Sequence, residues 1–450
     1  MSLHPTQPAL HPVEVLGLGQ SPRHERTELD HLIQEADLLL AGERILNQYT
    51  DFHGERVMLK APLASPLERL DQAWEAGRRV VVLVGGDPCF YGIGPLLVRR
   101  LGRENVRLHP GTTTLQAAAA LLGIAWQDVP AFSLHGRDRT TPLFAALGRS
   151  QRVAVYTDER HTPAVLAEML LERGADNFRM WVFEDLGLPS QNWDAYTLEQ
   201  AAQTAQGAFS ALNLVLLERV RESEVTLTLG MAVESYVHER GLITKPTVRA
   251  AALAALALEP GHLLWDLGAG CGSVGIEAGL LLPRGGVVAV EREERRTAMI
   301  RENVRRTNAF WVQVAHGLMP GCLEALPDPD RIFLGGGLGS SLGCSPESSH
   351  KSSSKSSPKN SLGNTQESGP DDVPENILET AWDRLKPGGK LVAATVLLGS
   401  MHRVKTFLER RGFDLEIVQI QAGDGVPLAD DLRISAQNPV FLLSSHKPMS

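Results

Sequence analysis

Leu263 to Ala278, reading LLWDLGAGCGSVGIEA, restricts the folds open to this chain more than any other stretch. An apolar run, Leu263-Leu264-Trp265, ends in Asp266. Gly268, Gly270 and Gly272 follow, and then the apolar-periodic start of a helix. The pattern predicts a strand, a tight glycine turn and a helix N-terminus in succession. Glycine tolerates a positive φ there, and its missing side chain lets the backbone approach a bound cofactor closely. The next apolar run, GVVAVE, ends at Glu291, 21 residues after Gly270. An acid at the end of a second strand is placed to accept hydrogen bonds from ribose hydroxyls, so the spacing points to a nucleotide-type cofactor.

Two cofactor classes fit the turn. Gly270, Gly272 and Gly275 satisfy G-x-G-x-x-G, the dinucleotide fingerprint. Methyltransferases that use S-adenosylmethionine carry a similar turn, with an acid two residues before the first glycine, as Asp266 stands before Gly268. The turn alone does not separate these, nor either from a glycine turn that binds nothing.

A chain of 450 residues is too long for one ordinary core, so two domains are expected. A hydrophobic content of 43% and a charged content of 22% are those of a globular protein. The net charge of −9 argues against a nucleic-acid binder. Cys89, Cys271, Cys322 and Cys344 have no C-x-x-C spacing, so neither a metal site nor a disulfide framework is indicated. The opening MSLHPTQPALHP lacks a basic stretch followed by an apolar one, and no leader is expected. No apolar run reaches the ~18 residues that span a bilayer, so no membrane association is expected and the compartment expected is the cytoplasm.

In chain order, strands are predicted at Val13 to Gly19, Leu38 to Leu40, Arg79 to Val84, Val106 to His109, Phe132 to Leu134, Arg152 to Tyr156, Phe178 to Phe183 and Ala211 to Glu218. Helices are predicted over 27–36, 66–76 and 115–122. Gly85 to Gly92 (GGDPCFYG) is too rich in Gly and Pro to be regular. Pro110-Gly111-Thr112-Thr113-Thr114 opens the alanine-rich helix, and capping accounts for one of its threonines. Residues 1–222 therefore read as one α/β domain. Residues 223–240 show no strand–helix unit and are taken as the junction. The second domain, 241–450, starts with a helix over 247–258 and continues through the glycine turn, the strand ending at Glu291 and a helix over 293–307. Strands follow at 311–315, 331–334, 391–396, 413–421 and 439–443, giving seven that close with a hairpin-like pair. That is the layout of a Rossmann-like methyltransferase. Residues 341–372 hold 11 serines in 32 positions. Such a segment buries too little apolar surface to offset its ordering entropy and reads as a disordered insertion.

Taken together, these motifs resemble the bifunctional precorrin methyltransferases of cobalamin biosynthesis. The first half resembles a tetrapyrrole methylase through Val15 to Gly19, Gly85 to Gly92, Pro110 to Thr114, Trp126-Gln127-Asp128 and Ser133 to Arg137. The second resembles the partner that methylates C15 and removes the ring-C acetate carboxyl. Its matches are Thr244-Lys245, Val248-Arg249, Asp266 to Glu277, Glu291, Asn303, Phe333 to Gly337, Leu385 to Lys390 and Asn438 to Val440. Two departures stand out: Cys271 where such turns carry Thr, and the insertion after Gly335-Gly336-Gly337.

The resemblance implies an α/β fold, a tetrapyrrole methylase domain followed by a seven-stranded Rossmann-like domain, with S-adenosylmethionine as cofactor and a nicotinamide oxidoreductase or a scaffold with one inactive domain as the alternatives. It implies a tetrapyrrole substrate and a homo-oligomer. Implied cofactor contacts in the first domain are Gly17, Gly85, Gly86, Asp87, Phe90, Thr112, Thr113 and Thr114. In the second they are Thr244, Gly268, Ala269, Gly270, Cys271, Gly272, Glu291, Gly317, Leu318 and Met319. Asp87 beside Pro88 has a turn-capping alternative. A substrate bearing several carboxylates needs a local basic rim, for which Arg137, Arg139, Lys245, Arg249 and Arg433 are the candidates. His135, with Arg137, is the catalytic candidate at C5, as a proton acceptor after methyl addition, with a structural histidine before a glycine turn as the alternative.

Composition alone makes residues 341–372 dispensable for folding. Replacing them with a short turn should leave the melting temperature nearly unchanged, and a fall of many degrees would show that they pack.

Overall fold

Unbroken runs of Val and Leu such as Val80–Val84 are what a parallel strand covered on both faces requires. The computed structural model describes residues 11–20, 29–135, 140–205, 207–335, 375–411 and 414–449. Two compact units emerge. One comprises residues 1–138, 150–169 and 178–220, and the other 139–149, 170–177 and 221–450. The insertion at 341–372 lies outside the described residues, as do Arg137 and Arg139.

The first unit holds two five-stranded sheets. Strands β1 (Val13–Gly17), β2 (Leu38–Ala41), β3 (Glu55–Met58), β4 (Val80–Val84) and β5 (Val106–His109) pair all in parallel in the order β3-β2-β4-β1-β5. Alternation splits β1 between two cores. Val13 and Val15 pack with Leu67, Leu70 and Ala73 of the helix Ala64–Glu75, while Leu16 packs with Ile33, Ile45 and Tyr49. The second sheet comprises β6 (Ala131–Ser133), β7 (Arg152–Tyr156), β8 (Phe178–Glu184), β9 (Asn192–Thr197) and β10 (Asn213–Arg219), ordered β6-β7-β10-β8-β9. Only the β6–β7 pairing in it is parallel.

In the second unit, β11 (Leu263–Leu267), β12 (Gly286–Glu291), β13 (Val312–His316), β14 (Arg331–Leu334), β15 (Lys390–Thr395) and β16 (Leu415–Ile420) are joined by the last strand of the chain. Before that strand comes a separate hairpin of β17 (Gly423–Leu428) and β18 (Asp431–Ala436), and then β19 (Val440–His446). The sheet order is β13-β12-β11-β14-β15-β19-β16, with antiparallel pairing at β15–β19 and β19–β16. The expected seven strands with a closing hairpin-like pair are thus present. Trp265, Val288 and Ile332 pack beneath Leu378, Trp382 and Leu408 of two covering helices, Glu375–Arg384 and Leu398–Arg410.

The predicted boundaries differ from the observed ones by a few residues, as fraying ends do. Strands β3, β9, β17 and β18 had no clear signal. The sequences of β17 and β18, GDGVPL and DLRISA, combine poor strand formers with Pro427. Their pairing register, Leu428 opposite Asp431, comes from the two-residue turn between them, where Ala429 adopts φ 51°. No helix among the described residues is long and apolar enough to cross a membrane.

Parallel strands deliver their carboxyl ends to one edge, and at that edge of the first sheet three backbones touch. A Cβ on Gly17 would stand 2.6 Å from the Gly111 nitrogen, 2.7 Å from the Gly86 oxygen and 2.8 Å from Pro88 Cδ. Two of these neighbours are main chain, which cannot rotate away. Gly17→Ala should therefore destabilise the first unit by ~1–3 kcal/mol in urea denaturation. An unchanged midpoint would mean that the three loops are not packed against one another.

Candidate functional site

The order of the seven-stranded sheet reverses at β11, with β12 on one side and β14 on the other. A crevice opens at such a reversal, beyond the carboxyl ends of the strands. The glycine turn emerges here. Gly268, Gly270 and Gly272 have φ of 70°, 60° and 80°, values that a side chain would strain. Gly268 and Ala269 donate their amides to the Val290 carbonyl at 3.0 and 3.1 Å, which ties the turn to β12. Gly335 donates to the Leu267 carbonyl at 3.0 Å on the other side.

Two acids organise the turn. Glu291 Oε2 accepts the Gly270 amide at 2.9 Å, while its Oε1 accepts the amides of Arg292 (2.9 Å) and Glu293 (3.1 Å). Asp266, 1% exposed, accepts the Gly275 amide at 3.0 Å through Oδ2. Burial pushes the Asp266 carboxyl up to about 7. The Gly275 bond opposes that rise and the neighbouring Glu291 carboxylate adds to it. Burial also raises the Cys271 thiol, which leaves it protonated and unsuited to nucleophilic work.

A cavity of ≈ 820 Å³ opens over the turn. Of the expected residues, it brings together Thr244, Lys245, Asp266, Gly268, Ala269, Gly270, Cys271, Glu291, Leu318 and Met319. A Cβ on Gly270 would meet nothing within 4 Å, so the turn presents open space to a ligand at that point. Gly272 and Gly317 do not line the cavity: Gly272 is the N-cap of the helix Ser273–Ala278, and a Cβ on Gly317 would press on Cys322 at 2.6 Å. The cavity also takes its wall from Glu239, Gly241, Leu242, Gln437 and Asn438. The first three come from a stretch that carries no periodic signal.

Two expected rim residues are placed elsewhere. Arg249 is fully buried, its guanidinium held by Glu277 and by main-chain carbonyls, and so offers nothing to a substrate carboxylate. It sits on the inward face of the helix Pro246–Leu256, where a charge survives only with partners. Arg433 is exposed on β18, away from the cavity lining.

In the first unit the expected residues gather at the edge already described. Gly86, with φ 68°, exchanges hydrogen bonds with Gly19 at 3.3 and 3.4 Å and would touch Thr112 and Thr113 through a Cβ at 3.7–3.8 Å. Gly85 stands beside it after β4. Asp87 caps the Cys89 amide at 2.7 Å, the turn role. Thr113 forms a full capping box with Gln116, and Thr114 Oγ1 accepts from Gln20 at 3.2 Å. Phe90 packs edge-on to Tyr91 and Tyr156, with centroids 5.1 and 5.9 Å away. The Tyr156 hydroxyl accepts the Leu115 amide at 3.2 Å, and burial pushes its pKa up to about 12. Neither tyrosine belongs to a spacing pattern that sequence reasoning reads. His135 lies in the turn that follows β6, exposed, with Nδ1 3.5 Å from the Thr157 carbonyl.

The tetrapyrrole (corrin/porphyrin) methylase family matches residues 27–202, and the precorrin methyltransferase domain family matches residues 234–348. The chain is 33% identical over 390 residues to a Sinorhizobium protein named precorrin-6Y C(5,15)-methyltransferase [decarboxylating], covering 85% of this chain and 82% of that one. A Mycobacterium tuberculosis protein of the same name is 29% identical over 417 residues, covering 91% and 94%. Among solved structures, precorrin-6Y C5,15-methyltransferase from Geobacter metallireducens GS-15 is similar at 29% identity and a TM-score of 0.39, over 49% of this chain and 98% of that one.

The raised Asp266 fixes the sign of a pH effect. Between about pH 4 and pH 7 the folded chain keeps a proton that the unfolded chain has released, so this group's contribution to stability falls as pH rises. Asp266→Asn, which retains an acceptor for Gly275, removes that loss. Without cofactor its stability should match wild type near pH 4 and exceed it increasingly toward pH 7, by at most ~4 kcal/mol. Denaturation of both proteins across this range checks it, and a difference independent of pH would show that Asp266 is ionised in the fold.

Proposed function

Because the chain belongs to the decarboxylating precorrin-6Y C5,15-methyltransferases, we propose that its two methyl transfers are divided between its two units, C5 in the first and C15 with decarboxylation in the second. The enzyme methylates a precorrin macrocycle at C5 and C15 with S-adenosylmethionine and removes the ring-C acetate carboxyl, taking precorrin-6B to precorrin-8X in cobalamin biosynthesis. The division is supported by the positions of the two family matches, 27–202 and 234–348. For the second unit, the observation that carries the reading is the glycine turn with Glu291 at a ≈ 820 Å³ cavity.

When bound, S-adenosylmethionine supplies an electrophilic methyl group. The macrocycle carbon is the nucleophile, so the chain's task is alignment and exclusion of water, which lowers such a barrier by ~7–11 kcal/mol without a side-chain nucleophile. In the second unit the bare backbone at Gly270 admits the cofactor, and Glu291, whose oxygens retain acceptor capacity, holds its ribose. Thr244 and Lys245 complete the wall, with Lys245 facing a substrate carboxylate. In the first unit the edge formed by Gly17, Gly85 to Asp87 and Thr112 to Thr114 holds the second cofactor, and His135 takes the proton released at C5.

We also read the chain as a cytoplasmic homo-oligomer. Edge strand β16 exposes Ile417 and Val418, and the β17–β18 hairpin exposes Leu428, Leu432 and Ile434. Apolar edges of this kind are ordinarily covered.

Incubation with precorrin-6B and S-adenosylmethionine tests the function. Mass spectrometry should show the gain of two methyl groups and loss of one carbon dioxide. A single methyl gain without carbon dioxide loss would convert the second unit into a scaffold. Glu291→Ala should weaken cofactor binding at the second unit by ~1.5–3 kcal/mol, roughly ten- to more than a hundredfold, and leave C5 methylation intact. Glu291→Gln should lie between. Equal calorimetric affinity for wild type and Glu291→Ala would remove Glu291 from the site.

A further inference from the structure

Residues 223–240, a connector by sequence, form a strap fastened to the second unit at successive points. The Val225 amide donates to the Arg306 carbonyl at 3.0 Å. Asn303 clamps Val237 from both sides, its Oδ1 accepting the amide at 2.8 Å and its Nδ2 donating to the carbonyl at 2.9 Å. Between these points a single carboxylate does most of the fastening. Glu277 Oε2 accepts the Gly230 amide at 2.8 Å. Its Oε1 accepts the Met231 amide at 3.2 Å, the Tyr236 hydroxyl at 3.0 Å and Arg249 Nε at 2.9 Å. Arg249 spends its remaining nitrogens on two carbonyls, Nη1 on Thr244 at 2.5 Å and Nη2 on Met231. Its guanidinium also lies 5.2 Å from the centroid of the Tyr236 ring.

Both charges are fully buried, and a buried ion pair adds little net stability because desolvation offsets its attraction. Apolar side chains of like volume would hold the fold as well. What they would not do is fix the positions of polar main-chain groups. This pair fixes four: the amides of Gly230 and Met231, and the carbonyls of Met231 and Thr244. The clamped stretch ends at Thr244 and Lys245, which line the cavity, and carries Glu239, Gly241 and Leu242 into its wall. At the other end of the pair, Glu277 sits on Ser273–Ala278, the helix that the glycine turn leads into. Neither Arg249 nor Glu277 lines the cavity.

We propose that Arg249 and Glu277 are positioning residues for the cofactor cavity of the second unit: without touching the ligand, they hold the strap and its continuation to Thr244 against the helix of the glycine turn and thereby set the affinity. The proposal rests on reading that cavity as an S-adenosylmethionine site. Arg249→Lys keeps the charge but cannot reach Glu277, Met231 and Thr244 together. Glu277→Gln keeps the shape and loses the charge.

The test is calorimetric titration of the full chain with S-adenosylmethionine, joined to steady-state kinetics of carbon dioxide release. Wild type should bind two equivalents. Arg249→Lys should weaken one site by about 10- to 100-fold, raise KM for the cofactor in the decarboxylating reaction far more than it lowers kcat, and leave the other site unchanged. Glu277→Gln should give a smaller effect of the same kind, and it carries the same measurement if Arg249→Lys does not fold. Leu408→Ala, a core truncation outside the cavity lining, serves as the purely destabilising control and should leave both affinities alone. Wild-type affinity in the folded pair variants, or an equal loss in Leu408→Ala, would overturn the proposal. A wild type whose bound equivalents are all unaffected by Glu291→Ala would overturn the reading of the cavity, and the proposal with it.

Discussion

Backbone amides bound to carboxylates at the ends of neighbouring parallel strands hold the second unit's site together. A glycine turn with left-handed residues at three alternate positions has little of its own to keep it in one conformation, since glycine loses more freedom on ordering than any other residue. Asp266 at the end of β11 accepts from Gly275, and Glu291 at the end of β12 accepts from Gly270. The two acids convert a flexible loop into a fixed concave surface. The arrangement has a cost: desolvation drives Asp266 toward its neutral form, so the order of the loop and the ionisation of the acid are linked.

The first unit reaches a similar end by different means. There the loops after β1, β4 and β5 are held by close approach of main chain to main chain, at Gly17, Gly86 and Gly111. Aromatic rings lie next to these loops. Tyr91 keeps a left-handed backbone with φ 55° in spite of its bulk, its hydroxyl donating to the Ala131 carbonyl and its ring packed near Phe90 and Tyr156. Strain of that kind persists where the surroundings over-determine it. In both units the residues expected at the cofactor gather where parallel strands end, so one geometric rule serves two otherwise different sheets.

For methyl transfer to an electron-rich carbon, such rigidity is the main catalytic resource. Among the described residues, nothing near the glycine turn resembles an activated nucleophile. Cys271 is buried and protonated, and Asp266 and Glu291 are engaged with main-chain amides. What the chain supplies is a shaped cavity with charged and polar groups set among apolar ones, and a strap whose placement depends on a buried ion pair.

Much of this was legible in order along the chain. The turn at 268–272, the acid at 291 and the seven strands with their antiparallel close follow from periodicity, glycine spacing and strand-end acids, all local properties that survive in any tertiary context. The tertiary structure alone decided the rest. Arg249 looks like any helix arginine until its partners are known, and those are Glu277, 28 residues away, and the carbonyls of Met231 and Thr244. The strap carries no period because its order comes from side chains elsewhere, and the hairpin β17–β18 takes its register from its turn rather than from strand propensity. Local pattern determines which segments form and which backbone can bend. Which buried charge meets which amide depends on the folded path between them, because that free energy exists only once both groups have left water.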